Sequence, residues 1–176
     1  MVEQSASDSP QSVSMPETKN TSQFVGFQLD GQEYAFRIEQ IQEIVILDQV
    51  TQTPQVADCV EGVSNLRGAI IPIINLRKLF GLAPKPPDSE TRTIVVNVGE
   101  RTMGCTVDMV SQVIRIPEEI IQPAPETVTA DGANYISGFA KLDDRLVVLL
   151  DIDELLNSER LQQIRKSELP GMPPSP

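Results

Sequence analysis

The chain has 176 residues, 25 acidic and 14 basic, and its formal net charge is −11. A surface this acidic repels phosphate backbones and anionic lipid headgroups at long range, which argues against nucleic-acid binding. Histidine is absent, and its absence excludes Ser–His–Asp and Cys–His catalysis as well as histidine-ligated metal sites.

The first 22 residues are polar, rich in Ser, Thr and Gln, and show no hydrophobic period. A segment of this kind buries too little apolar surface to offset the entropy of ordering, so we predict a disordered N-terminal tail over 1–22. No signal-peptide pattern opens the chain, and no apolar run reaches transmembrane length. The sequence therefore predicts a cytoplasmic protein without direct membrane insertion, in which Cys59 and Cys105 stay reduced.

The segments that follow alternate between apolar and polar residues and meet at turn signals. FVGFQL (24–29) leads through Asp30–Gly31 into EYAFRI, and TIVVNV (93–98) leads through Gly99–Glu100 into RTMGCTV. Both patterns are typical of β-hairpins. The body of the chain is therefore predicted to be mostly β.

Two later runs, AIIPIINL (69–76) and LVVLLDI (146–152), are almost entirely apolar, which predicts strands buried on both faces. The Pro-rich segment 81–90 has the composition of a linker. From Asp153 to about Glu168 the residues favour a C-terminal helix with a packed start. Its end and a loose Pro-rich tail are expected over 159–176.

An internal repeat organises the body of the chain. Residues 34–45 align without a gap on 103–114, and residues 60–80 align without a gap on 136–156, where Gly62 meets Gly138. We therefore expect two similar subdomains, about 23–82 and about 90–158. Each is expected to close its own sheet so that no strand edge is left open, giving two barrels packed together.

Paired carboxylates are the remaining candidates for chemistry. Asp143–Asp144 lie at a predicted hairpin tip, and Asp151 and Asp153 flank the end of a predicted strand. A glycosidase-like or metal-binding role is one interpretation. The other is a solvated turn and a helix N-terminus that favours negative charge. No third ligand stands at a diagnostic spacing, so we predict neither catalytic residues nor a metal or cofactor.

The segment Asn65-Leu66-Arg67-Gly68 lies between two predicted strands, with Gly68 free to adopt positive φ. Arg67 is either a solvated turn residue or a guanidinium held on a rigid tip for forked hydrogen bonds to a partner. Glu43 alternates with Ile44 and is expected to face away from the core.

These segments resemble a known family. QFVGFQLDGQEYAFRIEQIQEI, VEGVSNLRGAIIPIINLRKLFG and ISGFAKLDDRLVVLLDIDELL are similar to the CheW coupling proteins of bacterial chemotaxis, over about residues 22 to 158. The resemblance implies a CheW-like domain over 23–158. It also implies an all-β fold with short helices: two five-stranded Src-homology-3-like β-barrel subdomains plus a C-terminal helix.

The resemblance also implies a function. A member of this family is a non-catalytic, cofactor-free adaptor that couples the cytoplasmic tips of chemoreceptors to the regulatory domain of the histidine kinase CheA. It is recruited to receptor arrays, where other CheW copies are further partners in rings. Carried onto this sequence, the receptor-binding residues are Arg67, paired with Glu43, and Ile41, and the kinase-binding residues are Gly62 and Val63.

Three alternatives remain open from the sequence. One is a CheW-like adaptor of another chemosensory pathway, such as one that governs twitching or gliding motility. A second is an enzyme that uses carboxylates such as Asp151 and Asp153. The third is a nucleic-acid-binding barrel, which the acidic body argues against.

Overall fold

A computed structural model of the chain describes residues 20–47, 49–52, 59–129 and 134–157. The tail predicted over 1–22 lies outside these residues except at its end, where the first strand already begins at Thr21. The end of the chain predicted over 159–176 also lies outside the described residues.

The described residues are mostly β, as predicted, and their helices are short. The strands are β1 (Thr21–Leu29), β2 (Gln32–Arg37), β3 (Ile41–Val45), β4 (Val60–Leu66), β5 (Ala69–Asn75), β6 (Arg92–Val98), β7 (Arg101–Val107), β8 (Met109–Pro117), β9 (Ile121–Gln122), β10 (Ile136–Leu142) and β11 (Arg145–Leu150). The α-helices are α1 (Leu76–Leu79), α2 (Glu126–Thr129) and α3 (Ile152–Leu155), and the 3-10 helices are η1 (Ile38–Gln40) and η2 (Glu118–Ile120). The described start of the predicted C-terminal helix is α3.

The strands form two sheets. Sheet A has the order β8-β1-β2-β11-β10-β9, and sheet B has the order β3-β6-β7-β5-β4. Most neighbours are antiparallel, but β11 pairs with β2 and β5 pairs with β7 in parallel. Each parallel ladder joins a hairpin of one repeat to a hairpin of the other.

The expectation that each repeat closes its own sheet is therefore wrong. Sheet A combines strands from both 23–82 and 90–158, and so does sheet B. The physical reason lies in the edges of β5 and β11. The hairpin pairs only one edge of each strand, and the parallel ladder to the other repeat satisfies the backbone N–H and C=O groups along the second edge.

Two glycines that the repeat aligns, Gly62 and Gly138, have the same structural role. A Cβ built on Gly62 would lie 2.0 Å from the carbonyl oxygen of Thr51, and one built on Gly138 would lie 2.7 Å from the carbonyl oxygen of Gln122. At both positions a neighbouring backbone crosses directly over the strand. The matched glycines of the sequence therefore mark the same close approach in each half.

Among the described residues, three clusters make up the core. The largest lies between the sheets, a second lies within sheet A around Phe24 and Leu149, and a third lies within sheet B around Ile73 and Val95. Along β11, Val147 and Leu149 point into the sheet A cluster, whereas Val148 and Leu150 point into the central one. The prediction that this strand is buried on both faces is confirmed.

Candidate functional site

The turn between β4 and β5 is the tip predicted from the sequence. Arg67 has a φ of 55° and Gly68 a φ of 90°. Positive φ is uncommon for a residue with a side chain, and two such residues in succession make the tight turn that matches strand twist. The Gly68 N–H donates to the side-chain oxygen of Asn65 at 2.9 Å, which fixes the turn from within.

Arg67 forms an ion pair with Glu43. An Nη of Arg67 lies 2.8 Å from an Oε of Glu43; the arginine side chain is 73% exposed and the glutamate 17%. A guanidinium carries five N–H donors, and this contact occupies one nitrogen, so donors remain for a partner. Glu43 thus orients Arg67 while solvent still reaches most of it. The structure brings together two of the residues that the sequence singled out.

This ion pair joins the two ends of sheet B. Glu43 is on β3, which is the first strand of the sheet, and Arg67 follows β4, which is the last. The side-chain hydroxyl of Ser64 also reaches across, donating to the backbone carbonyl of Gln49 at 3.0 Å. These contacts draw the sheet toward closure and hold the tip against the segment that follows β3.

Glu43 faces inward, so the expectation that it points away from the core is wrong. Val45 and Leu47, on the same face of the chain as Glu43, pack against the sheet B cluster, whereas Ile44 and Ile46 are exposed. The inward orientation is tolerated because Arg67 meets the carboxylate at the rim.

Ile41 does not share the face of Glu43. The register of β3 against β6 shifts between these two residues, so Ile41 pairs with Val96 and Glu43 with Val95. Val96 belongs to the central core and Val95 to the sheet B cluster. The β-bulge therefore turns the two side chains to opposite sides. Ile41 packs, partly buried, on the central core.

Gly62 and Val63 lie toward the base of the same hairpin. Gly62 is buried, with a φ of 148°. Val63 exchanges both backbone hydrogen bonds with Thr51, each at 2.8 Å, and pairs with Pro72 on its other side. The strand at this point is covered, so the backbone of Gly62 and Val63 already has its partners within the chain.

A set of exposed apolar side chains was missed by the sequence reasoning. Ile44 and Ile70 in sheet B and Val113 and Leu146 in sheet A are all exposed. Ile44 aligns with Val113 in the repeat, and Ile70 aligns with Leu146. Single exposed apolar residues are ordinary. Their recurrence at matched positions, which the alignment could have shown, indicates that each sheet presents a similar surface.

The carboxylates considered for chemistry have structural places. Asp151 caps α3, because its side-chain oxygen accepts from the Glu154 N–H at 3.2 Å. Asp143 is a turn residue with a φ of 53°. Within the described ranges, no group of three or more Cys, Asp or Glu residues is placed to hold a metal ion. None of the helices in those ranges has the length and apolar character that a membrane crossing requires.

Comparison with known proteins agrees with this fold. Residues 23–160 match the family model described as CheW-like domain. A chemotaxis protein CheW of Klebsiella aerogenes is 41% identical over 139 residues, covering 79% of this chain and 84% of that protein. The corresponding protein of Helicobacter pylori is 39% identical and covers 78% of this chain and 82% of its own length. The crystal structure of a scaffolding protein, TtCheW from Thermoanaerobacter tengcongensis, superposes with a TM-score of 0.73 at 33% identity, covering 79% of this chain and 94% of that one.

Proposed function

Since the chain belongs to the CheW family of chemotaxis scaffolding proteins, we propose that it is a non-catalytic adaptor that couples the cytoplasmic tips of chemoreceptors to the histidine kinase CheA. The observation that carries this proposal is the Arg67–Glu43 pair. It presents a fixed, largely exposed guanidinium on a rigid turn, at the position that the family pattern implies for receptor coupling.

The receptor surface is centred on Arg67. A guanidinium that is already oriented loses little further entropy when it forms forked hydrogen bonds to a carboxylate or a carbonyl. Glu43 acts by holding Arg67 in place. Ile41 packs on the central core and so supports β3 on the face opposite Glu43. It contributes to receptor binding only where a receptor contacts the exposed part of its side chain.

The kinase surface is proposed at the base of the same hairpin. Gly62 serves by letting the 49–52 segment cross close over β4, so that the outer contour around Val63 is formed jointly by β4 and this segment. The regulatory domain of CheA is the proposed partner there. The matched apolar positions on sheet A offer a second, related surface for a kinase or for another copy of this chain.

Each of these contacts is expected to be of modest size, as is typical of transient signalling assemblies. Many such contacts in one array give avidity that no single contact has. We therefore place the protein in the cytoplasm, recruited to membrane receptor arrays through its partners. Its action depends on coupling between two binding surfaces, with no reaction of its own.

The decisive experiment reverses the charge of the tip. Arg67→Asp is expected to lower recruitment to receptor-containing membranes at least about tenfold. The variant replaces the guanidinium that would donate hydrogen bonds to the receptor with a carboxylate, and this carboxylate also repels Glu43. Recruitment is measured by co-sedimentation over a range of protein concentrations. The thermal midpoint of the variant should fall by only a few degrees, because the partly buried Glu43 loses its partner but an ion pair at the rim contributes about 1 kcal/mol.

The matched control is Arg101→Asp, which makes the same charge change at an exposed position of β7 in the same sheet. It should sediment like the parent. Both variants should still bind the isolated regulatory domain of CheA. Unchanged recruitment of Arg67→Asp, or an equal loss in Arg101→Asp, would show that the tip is not the receptor surface.

A further inference from the structure

Arg77, on α1, is a buried charged side chain that has several partners. Its side chain is 10% exposed, and one Nη lies 2.5 Å from an Oδ of Asp108. The other Nη lies 3.4 Å from an Oδ of Asp30, and Nε donates to the carbonyl oxygen of Ala83 at 2.8 Å. All three nitrogens of the guanidinium are therefore engaged.

The partners of Arg77 belong to different parts of the fold. Asp30 is in the β1–β2 turn of sheet A. Asp108 is the single residue between β7 of sheet B and β8 of sheet A, so the chain changes sheets there. The same carboxylate of Asp108 accepts the Asp30 N–H at 2.9 Å. The guanidinium thus ties the start of α1 to sheet A and to the crossover itself.

In the described part of the chain, the two sheets are connected twice: at Asp108 and at η1, between β2 and β3. The repeat makes these crossovers equivalent, because Glu39 of η1 aligns with Asp108, and Asp153 of α3 aligns with Arg77. Where one crossover has an arginine and an aspartate, the other has two acids. Its contact is an exposed hydrogen bond of 3.2 Å from Gln40 to Asp153.

This asymmetry has a mechanical consequence. A buried ion pair adds little net stability, because desolvation offsets its attraction, but it admits few alternative geometries. An exposed hydrogen bond between flexible side chains admits many. The side-chain contacts at the Asp108 crossover therefore define the relative orientation of the sheets more narrowly than the contact at the η1 crossover does.

We propose that the network of Arg77, Asp108 and Asp30 is a pivot that sets the angle between sheets A and B, and so the orientation of the apolar surface on sheet A relative to the receptor and kinase surfaces on sheet B. The functional half of this inference rests on the adaptor function proposed above. Arg77 is a positioning residue: it is largely buried and acts through the sheets that it joins. An adaptor transmits a signal between partners only if its two surfaces keep a defined geometry.

The test removes the two buried charges of the network and leaves only the exposed carboxylate of Asp30. In Arg77→Met/Asp108→Asn both charges are removed, while the asparagine oxygen still accepts the Asp30 N–H. The control, Arg145→Met/Glu33→Gln, removes an ion pair of 3.0 Å that lies between neighbouring strands of sheet A alone. Arg77→Lys keeps the charge but not the three-way contact, and it serves if the neutral pair fails to fold.

The first readout is the distance between spin labels at Glu100→Cys in sheet B and Asp144→Cys in sheet A, measured by pulsed electron resonance in the full chain. Both positions are exposed, and the native cysteines are buried, so labelling is selective. The distance distribution is expected to widen about twofold in the Arg77 variants and to stay unchanged in the control. An unchanged distribution in both Arg77 variants would overturn the pivot.

The second readout separates binding from coupling. The Arg77 variants are expected to bind the regulatory domain of CheA and receptor membranes separately as the parent does. Kinase activity in reconstituted ternary complexes should fall about tenfold, because the surface on sheet A no longer meets its partner in register with the surfaces on sheet B. A widened distribution with full kinase coupling would overturn the functional half of the proposal. If the parent binds neither partner, the adaptor function fails, while the label distances still decide the pivot.

Discussion

The hairpin tips of β4–β5 and β10–β11 occupy equivalent places in the repeat and carry opposite charge. One turn is Arg67–Gly68, with the arginine held by Glu43; the other is Asp143–Asp144. The first residue of each has a φ within a few degrees of the other, 55° and 53°. The first residue of the turn keeps its main-chain conformation in both halves, whereas the side chains that face solvent have diverged.

The same contrast recurs along the hairpins. The close contacts between backbone segments are alike in the two halves. The backbone of Thr51 crosses over Gly62, and the backbone of Gln122 crosses over Gly138. The exposed apolar positions are alike as well. The charged contacts differ, both at the tips and at the crossovers. A duplicated scaffold of this kind can present two related surfaces to two different partners.

The matched glycines should show the largest effect. Gly62→Ala is expected to lower the free energy of unfolding by about 3 kcal/mol and Gly138→Ala by about 2 kcal/mol, because each Cβ meets a backbone carbonyl and Gly62 also has positive φ. Urea denaturation measures both. The order matters: the approach is 2.0 Å at Gly62 and 2.7 Å at Gly138.

A matched control is Gly99→Ala, at a turn where a Cβ would have nothing within 4 Å. Its cost comes from the positive φ alone and should be about 1 kcal/mol. If Gly62→Ala were no more harmful than Gly99→Ala, the close crossing of residue 51 would not constrain sheet B.

The sequence could predict the local hairpins of each repeat but not the contacts between the repeats. Alternation, turn signals and the repeat were enough for the hairpins and for the β class, because these depend on neighbours in sequence. The parallel ladders that exchange hairpins between the repeats were not predictable, since an apolar strand such as β5 matches either available partner equally well. The pattern shows that the strand is buried but not which strand pairs with its second edge.

The candidate site divides likewise. Arg67 could be placed on a tight turn from Asn65 and Gly68 alone. The orientation of Glu43 was mispredicted because the expectation took Ile44 as the core-facing residue, whereas Ile44 is exposed and Val45 packs inward on the face of Glu43. In the Arg77 network, the partners of Arg77 are separated from it by 31 and 47 positions in the chain. No local sequence pattern predicts such a contact.

A smaller difference between the sheets concerns titration. Cys105 in β7 aligns with Phe36 in β2, and burial raises the pKa of the Cys105 thiol to about 12. The unfolded thiol loses its proton near its ordinary pKa, so the stability due to the buried neutral thiol is complete below that value and declines as the pH rises toward 12. Between pH 8 and pH 10 the loss should be about 1.5 to 2 kcal/mol.

The comparison is with Cys105→Val, which has no group to titrate at this position. The pH dependence of unfolding should be shallower in the variant by that same amount, which guanidinium denaturation at the two pH values measures. Parallel curves for parent and variant would mean that the thiol is solvated. In that case sheet B would be less tightly packed around β7 than its burial indicates.

The smallest effect is expected at the looser of the two crossovers. Gln40→Arg would give Asp153 a cationic partner where it now has an amide at 3.2 Å, and would bring the η1 crossover closer to the one at Asp108. Because the site is exposed, the gain in unfolding free energy should be about 0.3–0.5 kcal/mol and should vanish in 1 M salt. Gln40→Glu, which adds a third acid beside Glu39 and Asp153, should cost a similar amount with the same salt dependence. Equal shifts in one direction would trace the effect to helix propensity in η1, whereas opposite shifts that salt abolishes would show that charge alone separates the two crossovers.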